Sequence, residues 1–287
     1  MQELKHILFP VDLSKACSLF APIVRFVARR TGARVSLLNT LALPPSYLSN
    51  PNAFLGLVDI RSWMRRQRAD FNKFLQVDLA SLAEVTRVSR HGDPARTIVD
   101  YARKRKIDLI MLPTYGVGPF RRLLIGSVTA KVLHDATCPV WTSAHAPELP
   151  QPERLSKVLC ALDLSDKSVA VMQYAQWLAT MFGAQLRFLN VVAVSEAWEV
   201  HYFESEFVAT LVDRAREQIR HLQDRAGTKA EADVMTGEIA RSVRREALEW
   251  CADLIVVGRR VLGETLGRLR NETYGIIRES PCPVLSV

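Results

Sequence analysis

Residues 112–128 read LPTYGVGPFRRLLIGSV and combine closely spaced glycines with a Gly-Ser pair at the start of a predicted helix. Gly116, Gly118 and Gly126 allow backbone N–H groups to approach a ligand closely. The first N–H groups of a helix have no partner within the helix and face whatever lies before it. Both features suit a phosphate group, and both also occur in ordinary loops. The stretch therefore raises a phosphate-binding hypothesis that the rest of the chain has to support.

Other reactive groups give weaker signals. The chain has no G-x-x-x-x-G-K-[ST] motif, which argues against a P-loop nucleotide hydrolase. Its histidines have no metal-ligand spacing with cysteines or carboxylates, and no nucleophile–base pairing can be argued from residue order. These histidines are His6, His91, His134, His145, His201 and His221. We therefore predict neither catalytic nor metal-binding residues.

Length and composition favour a two-domain protein of the cytoplasm. The 287 residues suit two α/β units, and the apolar content of 48% is ordinary. The five cysteines are scattered without a C-x-x-C pair, which is typical of reduced thiols. The first residues lead directly into a strand pattern, and no apolar run approaches the roughly 20 residues that span a bilayer. We expect no targeting peptide and no membrane association.

The chain repeats itself once. ILFPVDLSKA (7–16) returns as VLCALDLSDK (158–167), and TGARVSLLN (31–39) returns as FGAQLRFLN (182–190), both at an offset of 151 residues. IDLIMLP (107–113) returns as ADLIVVG (252–258) at an offset of 145 residues. The proline-rich segment between the copies is typical of an extended linker. The sequence predicts two copies of one unit, residues 1–146 and 153–287.

Each copy alternates short apolar strands with helices, which predicts a parallel sheet covered by helices on both faces. The expected fold class is α/β, with two tandem doubly wound domains. Ser14, Ser165 and Asp93 are predicted helix N-caps, and Pro22 is expected to kink or break its helix. The predicted strands are 7–11, 35–38, 109–112 and 140–142, with 158–162, 186–189, 254–257 and 284–287 in the second copy.

Ligands of doubly wound sheets bind beyond the carboxyl ends of the strands, where the strand order reverses. Asp12, Asn39–Thr40 and the loop 113–118 follow predicted strands and lie at such ends. Their placement supports the phosphate-binding hypothesis.

Both halves of the chain resemble a tandem universal stress protein. The resemblance rests on the Asp after the first strand, the DLIM strand, and GSVTAKVLHDATCPV at 126–140. It implies a Rossmann-like fold of the adenine nucleotide alpha hydrolase type and a stress-response role. It also implies that ATP, with or without Mg²⁺, is the ligand.

The resemblance assigns roles to seven residues of the first copy. It implies that Asp12 contacts the ribose and that the backbone of Thr40 reads the adenine edge. Gly116 and Gly118 would wrap the phosphates, while Gly126, Ser127 and Val128 would donate N–H groups to them. The family signature is Gly, two residues, Gly, nine residues and Gly-Ser. Pro113 replaces its first glycine, which fixes φ and removes one N–H donor.

The second copy departs further from the signature. Gly258 matches the first glycine, but Val261 stands at the second, and Arg270-Asn271 align with Gly126-Ser127. An arginine there would crowd a triphosphate. We therefore expect the second copy to have lost the nucleotide site.

Charge separates the two copies as well. Residues 1–146 hold 21 basic and 10 acidic side chains, whereas residues 147–287 hold 17 basic and 20 acidic ones. A basic first half concentrates anions around its clefts. The clusters RSWMRRQR (61–68) and ARKRK (102–106) are interpreted as solvated helix faces without a DNA-binding motif, so nucleic acid is not the expected partner.

The sequence thus predicts a stress-response protein that holds ATP in the first copy and signals to an unknown protein partner. At most very slow ATP hydrolysis is expected. The resemblance implies that the copies pair through their last strands, and a further homodimer stays open. The alternatives are a nucleotide-free interaction scaffold, or a carrier of another small ligand in the second copy.

Overall fold

A computed structural model describes residues 3–41, 57–114, 125–143, 154–194, 202–259 and 268–287. These residues divide into two compact units. One contains 3–114 and 126–140, and the other contains Ile125 and the described residues from Trp141 onward. None of the helices in the described ranges has both the length and the apolar character to cross a membrane.

The elements of the first copy alternate between strand and helix. They are β1 (His6–Val11), α1 (Lys15–Thr31), β2 (Arg34–Leu41), α2 (Leu57–Lys73), β3 (Val85–His91), α3 (Pro94–Arg105), β4 (Leu109–Leu112), α4 (Ser127–Asp135) and β5 (Val140–Thr142). Their strand order is β3-β2-β1-β4-β5. β1 pairs in parallel with β2 on one side and with β4 on the other, so the order reverses at β1.

The second copy repeats this arrangement. Its elements are β6 (Lys157–Leu162), α5 (Ser168–Phe182), β7 (Gln185–Ala193), α6 (Tyr202–Ala226), β8 (Glu231–Gly237), α7 (Ile239–Glu249), β9 (Leu254–Val257), α8 (Arg268–Glu279) and β10 (Val284–Ser286). The strand order is β10-β9-β6-β7-β8. β6 pairs in parallel with β7 and with β9, so it occupies the same reversal point as β1.

The predicted α/β class and parallel sheets are confirmed. Every residue of β1, β4 and β9 is buried, as expected of strands covered by helices on both faces. Asp93 caps α3 as predicted, since its carboxylate accepts the Arg96 N–H at 2.9 Å and Pro94 opens the helix. The boundaries 1–146 and 153–287 and the pairing through the last strands stay predictions.

Two helix predictions need correction. Ser165 is not an N-cap, because α5 begins only at Ser168 and the Ser165 N–H and hydroxyl bond to Asp163 instead. Pro22 was expected to kink or break α1; it does not break the helix, which continues to Thr31, and the kink stays a prediction. The missing N–H leaves the carbonyl of Ser18 without its helical partner, and Ser18 lies on an exposed position of α1 where water can replace it.

The same backbone framework recurs at the amino ends of the first strands. Asp108 Oδ2 accepts the N–H groups of Lys5 and His6, both at 2.9 Å. Asp253 Oδ2 accepts those of Ser156 and Lys157 at 2.7 and 3.0 Å. One carboxylate therefore fixes the entry of the central strand in each copy.

A matched glycine ends the third strand of each copy. Gly92 has φ +136° and Gly237 has φ +129°, a conformation that side chains rarely adopt. An added Cβ would lie 3.2 Å from Thr97 Oγ1 or 3.1 Å from Ser242 Oγ. Both positions therefore require glycine for the turn into the following helix.

Candidate functional site

The reversal point at β1 forms a crevice at the carboxyl ends of the strands. Ile7 and Leu8 of β1 lie opposite Leu109 and Ile110 of β4. Continued by three residues, this register places Val11 beside Pro113, on strands roughly 4.8 Å apart. Asp12 and the residues that follow β4 therefore leave the sheet side by side, as a ligand site at a reversal point requires.

Asp12 shapes the turn out of β1. Its Oδ1 accepts the Ser14 N–H at 3.0 Å and the Cys17 thiol at 3.2 Å. Leu13 between them adopts φ 62°, a left-handed conformation that is costly for a side chain with a Cβ. The turn leaves Asp12 exposed at the carboxyl end of β1, and none of the described residues donates a hydrogen bond to its Oδ2.

Cys17 supports the carboxylate as a neutral donor. Burial, followed by the negative charge of Asp12, raises the pKa of this thiol to about 12. The sulfur therefore keeps its proton at neutral pH and donates it to Asp12. Ser14 occupies the N-cap of α1 as predicted, with its hydroxyl 3.4 Å from the Cys17 nitrogen.

Asn39 links the two strand ends; the sequence analysis placed it at the carboxyl end of its strand but gave it no role. Its Nδ2 donates to the carbonyl of Val11 at 2.8 Å, which fixes the direction of the backbone between the end of β1 and Asp12. Thr40 continues β2 beyond the end of β1 and pairs with Arg90 of β3. The backbone of Thr40 on the β1 side thus lies at the crevice. In the second copy, Asn190 is the repeat of Asn39 and donates to the Leu162 carbonyl at 2.9 Å. The recurrence of asparagine at this position is the sequence signal that could have indicated the role of Asn39.

Gly126 is the N-cap of α4, and no side chain caps this helix. The carbonyl of Gly126 accepts the Ala130 N–H at 2.8 Å, and its own N–H donates to the Thr114 carbonyl at 3.0 Å. The N–H groups of Ser127 and Val128 lie in the first turn, where the helix offers no acceptor. This turn carries the positive end of the helix dipole, which favours an anion.

The hydroxyl of Thr129 holds the start of the loop against the helix. It donates to the Pro113 carbonyl at 3.1 Å, and Thr129 itself is buried. Together with the bond from Gly126 to Thr114, this contact anchors the end of β4 to the first turn of α4. The strand end and the helix start are therefore positioned relative to each other, although eleven residues of sequence lie between Thr114 and Gly126.

The structure brings most of the predicted residues to one edge. Asp12, Thr40 and the segment Gly126–Val128 all lie at the carboxyl ends of β1, β2 and β4. Gly116 and Gly118 lie outside the described residues. The roles of all seven residues toward a ligand stay predictions. Within the described ranges, no group of three or more His, Cys, Asp or Glu side chains is arranged to hold a metal ion.

The second copy has the same Asp but surrounds it with more donors. Asp163 Oδ1 accepts the Ser165 N–H at 3.0 Å, the Ser165 hydroxyl at 2.7 Å and the Ser168 hydroxyl at 3.0 Å. Leu164 repeats the left-handed turn with φ 57°. This carboxylate is therefore bound more fully by its own chain than Asp12 is.

The helix that would cradle phosphate also differs in the second copy. The alignment places Asn271 opposite Ser127, the first residue of α4. The helix α8 begins at Arg268, which is three residues before Asn271. Arg270 consequently lies inside the helix rather than at its N-cap. At Gly258, an added Cβ would meet Val171 Cγ2 at 3.0 Å, so the strand end there is closely packed against α5. Val261 lies outside the described residues.

Comparison with known proteins agrees with the repeat. The Universal stress protein family matches twice, at residues 3–143 and 155–287. A universal stress protein of Thermus aquaticus is 29% identical over 136 residues, covering 47% of this chain and 96% of that protein. The crystal structure of a universal stress protein from Archaeoglobus fulgidus covers 99% of this chain and 96% of its own, at 19% identity and a TM-score of 0.68.

One solved relative contains a nucleotide. A universal stress protein crystallised in complex with cAMP is 16% identical and covers 49% of this chain and 97% of its own, with a TM-score of 0.37.

Proposed function

This chain belongs to the universal stress protein family, a stress-response family, and from that premise we propose that its first copy holds ATP. Occupancy would change the loop after β4 and so the surface offered to a protein partner. The second copy would serve as a structural partner without a nucleotide. The proposal assigns no catalytic residue, because the sequence offers no general base for a terminal phosphate.

The observation that carries this proposal is the pairing of an open helix start with a carboxylate at one reversal point. The first turn of α4 favours an anion, whereas Asp12 on the neighbouring strand end favours hydroxyl donors. A nucleotide carries its phosphate chain and its ribose diol on one sugar, with the base beyond them. The helix start and the carboxylate therefore match two neighbouring groups of one molecule.

Asp12 is prepared for the ribose role by its own turn. Oδ1 is engaged by Ser14 and Cys17, which leaves Oδ2 to accept ribose hydroxyls without any rearrangement of the chain. Each hydrogen bond to a charged acceptor contributes roughly 1.5–3 kcal/mol. Thr40, whose backbone extends past β1, would supply the groups that read the adenine edge.

Pro113 is compatible with this arrangement. The residue offers no N–H, but its carbonyl is used by Thr129, so the bend has a structural role that does not need the missing donor. Phosphate binding would then rest on the N–H groups of Ser127 and Val128 and on the Ser127 hydroxyl. Ser127 is exposed, so its hydroxyl is accessible to a ligand.

The proposal is tested by calorimetry with MgATP on the intact chain and on Gly126→Arg. We expect one site per chain in the original protein and no measurable heat for the variant, since the arginine side chain fills the first turn of α4. Gly126 has φ −55° and ψ 142°, angles that any residue adopts, so the variant is expected to fold. Circular dichroism checks that it does.

A matched change in the second copy serves as the control. Arg270→Gly restores the family residue there, and we expect the stoichiometry to stay at one, because α8 begins before this position. If neither the original chain nor Arg270→Gly binds MgATP while both are folded, ATP binding is excluded and the scaffold function remains. Binding that survives Gly126→Arg would instead place the nucleotide elsewhere and contradict the proposed site.

A further inference from the structure

The amino-terminal edge of the first sheet, opposite the candidate nucleotide site, collects cations from three separate segments. All eight are exposed, and they are Lys5, Arg29, Arg30, Arg34, Arg103, Lys104, Arg105 and Lys106. We call this group the basic edge. The sequence interpretation covered only residues 102–106 and treated them as a solvated helix face.

Backbone hydrogen bonds hold the three segments together. The Arg34 N–H donates to the Lys5 carbonyl at 3.0 Å, and the Lys5 N–H donates to Asp108 Oδ2 at 2.9 Å. At the end of α3, the Ile107 N–H donates to the Ala102 carbonyl at 2.9 Å and turns the chain toward β4. These hydrogen bonds fix the positions of the three segments that form the basic edge.

The second copy has the same backbone and none of this charge. The Gln185 N–H donates to the Ser156 carbonyl at 2.8 Å, and the Ala252 N–H donates to the Ala247 carbonyl at 2.8 Å, as in the first copy. The residues at the eight matched positions are Ser156, Thr180, Met181, Gln185, Leu248, Glu249, Trp250 and Cys251. The fold therefore does not need cations here.

Stabilisation of helix ends explains only part of the basic edge. Arg29 and Arg30 end α1, and Arg103–Lys106 end α3, where cations oppose the negative end of the helix dipole. Lys5 and Arg34 precede strands and have no such helix end to stabilise. In the second copy, α5 and α7 end without a basic residue in their last turns.

Nearby acids reduce the charge without cancelling it. Glu3 pairs with Lys5, and Asp100 lies 3.8 Å from Arg103. Asp108 is occupied by backbone N–H groups, as described above. Glu84 and Asp135 are further carboxylates of neighbouring segments, and His134 contacts Asp135. The eight cations of the basic edge outnumber these five carboxylates.

We propose that the basic edge binds the phosphate backbone of double-stranded nucleic acid without sequence preference. Five of the eight cations are arginines, whose planar fork matches phosphate oxygens. A membrane surface would favour apolar side chains inserted beside the charges. The large hydrophobic residues that the described part of the chain exposes are Leu19, Val77, Phe207 and Leu248, and none of them belongs to the basic edge.

The absence of aromatic stacking also favours a duplex over a single strand. Single-stranded nucleic acid is held largely by bases stacked on exposed aromatic rings. Tyr101, the aromatic residue of α3, is buried, and Arg105 lies over its ring with Cζ 6.0 Å from the centroid. A duplex needs only the charges that this edge presents.

The test measures fluorescence anisotropy of a labelled duplex of about 20 base pairs over roughly 50–200 mM salt. The variant Lys5→Ser/Arg34→Gln/Lys104→Glu takes the second copy's residues. We expect it to lose affinity roughly 10-fold or more and to show a shallower dependence of binding on salt. These three residues are exposed and lie outside the nucleotide site, so MgATP binding is expected to stay unchanged.

The triple variant lowers the net charge by four, and a matched control lowers it by the same amount at other positions. Arg214, Arg220, Arg244 and Arg245 are exposed on helices of the second copy, and all four become glutamine. We expect the control to bind the duplex nearly as well as the original chain. Equal loss in both variants, or no duplex binding by the original chain, would overturn the proposal. So would binding to phosphatidylserine vesicles that depends on the basic edge while duplex binding does not.

Discussion

At the amino ends of their first strands, the two copies place different side chains on one backbone. In the first copy, the His6 Nε2 lies 2.8 Å from Ser36 Oγ, and the Tyr101 hydroxyl lies 3.4 Å from the same oxygen. In the second copy, Lys157, Arg187 and Glu246 stand at these three positions. A neutral hydrogen-bonded group is thus replaced by a charged one.

The charged group is closely arranged. Arg187 Nη1 lies 2.7 Å from Glu246 Oε1, Nη2 lies 2.9 Å from Glu231 Oε2, and Cζ lies 4.6 Å from the centroid of the Trp250 ring. The Lys157 ammonium donates to the Trp250 carbonyl at 3.0 Å. Burial acts to lower the pKa of Arg187, but the hydrogen bonds that Arg187 donates to Glu246 and Glu231 raise it overall.

The comparison separates what the fold requires from what each copy adds. The carboxylates of Asp108 and Asp253, which fix the strand entries, are the same in both copies. The side chains around them have diverged in charge, and so have those at the basic edge and at the starts of α4 and α8. We infer that the same backbone carries side chains of different chemistry in the two copies. These differences can be tested by making matched substitutions in each copy.

The largest effect is expected from Glu246→Gln. Arg187 keeps the exposed partners Glu231 and Asp233 but loses the charge of Glu246, its most buried partner, which costs about 2 kcal/mol of local stability. Tyr101→Phe at the matched position of the first copy removes only a long hydrogen bond and should cost about 1 kcal/mol or less. Hydrogen exchange followed by mass spectrometry on β7 and α7, against β2 and α3, measures both losses.

A grafted variant sharpens this result. Lys157→His/Arg187→Ser/Glu246→Tyr copies the first network into the second unit and removes the buried charges together. Because no unpaired charge remains, we expect slower exchange in β7 and α7 than Glu246→Gln shows. Faster exchange than in the single variant would mean that the charged group is required by the surroundings of the second copy.

The next effect concerns ATP and distinguishes the two carboxylates at the reversal points. Asp12→Asn keeps the Oδ1 acceptor for Ser14 but loses the charge that strengthens bonds to ribose hydroxyls. We expect MgATP affinity to fall roughly 10-fold, as a charged acceptor becomes a neutral one. Asp163→Asn should leave the affinity unchanged. Calorimetry on both variants makes the comparison.

The outcome bears on the asymmetry of the two sites. If Asp163→Asn weakens MgATP as much as Asp12→Asn does, the nucleotide uses the second copy, and the difference in helix starts between α4 and α8 has no functional meaning. If neither variant changes the affinity, Asp12 and Asp163 only stabilise the turns in which they lie and do not contact the nucleotide.

Most of the fold followed from the sequence, because strands buried on both faces leave uninterrupted apolar runs. ILFPV and LIML became β1 and β4, and the repeat offsets identified their partners in the second copy. The prediction at Ser165 failed because a serine after Asp can bond either to a helix start or to the carboxylate before it. Only the three-dimensional turn at Leu164 decides between these partners.

The site was predicted less completely than the fold. Asp12 and the Gly126–Val128 segment stand out by residue type, since carboxylates and glycines after strands are recognisable signals. Asn39 was placed at the correct strand end but given no role, because its role is a hydrogen bond to a carbonyl 28 residues earlier in the chain. The basic edge was missed in the same way, because cations from segments far apart in sequence meet only through parallel pairing.

The smallest effect is a pH dependence that only the first copy should show. Burial, followed by the charge of Arg34, lowers the pKa of His6, so the folded chain keeps this imidazole neutral where the unfolded chain is already protonated. The unfolded state therefore binds more protons as pH falls below about 6.5, and the stability that His6 contributes is lost.

His6→Gln tests this dependence, because glutamine retains a partner for Ser36 without titrating. We expect the hydrogen-exchange protection of β1 and β2 to decline less in this variant than in the original chain between neutral and mildly acidic pH. The matched position of the second copy holds Lys157 instead of a histidine, so β6 and β7 should show no difference between the original chain and His6→Gln. An equal acid response of β1 in both proteins would show that the His6 imidazole does not govern it.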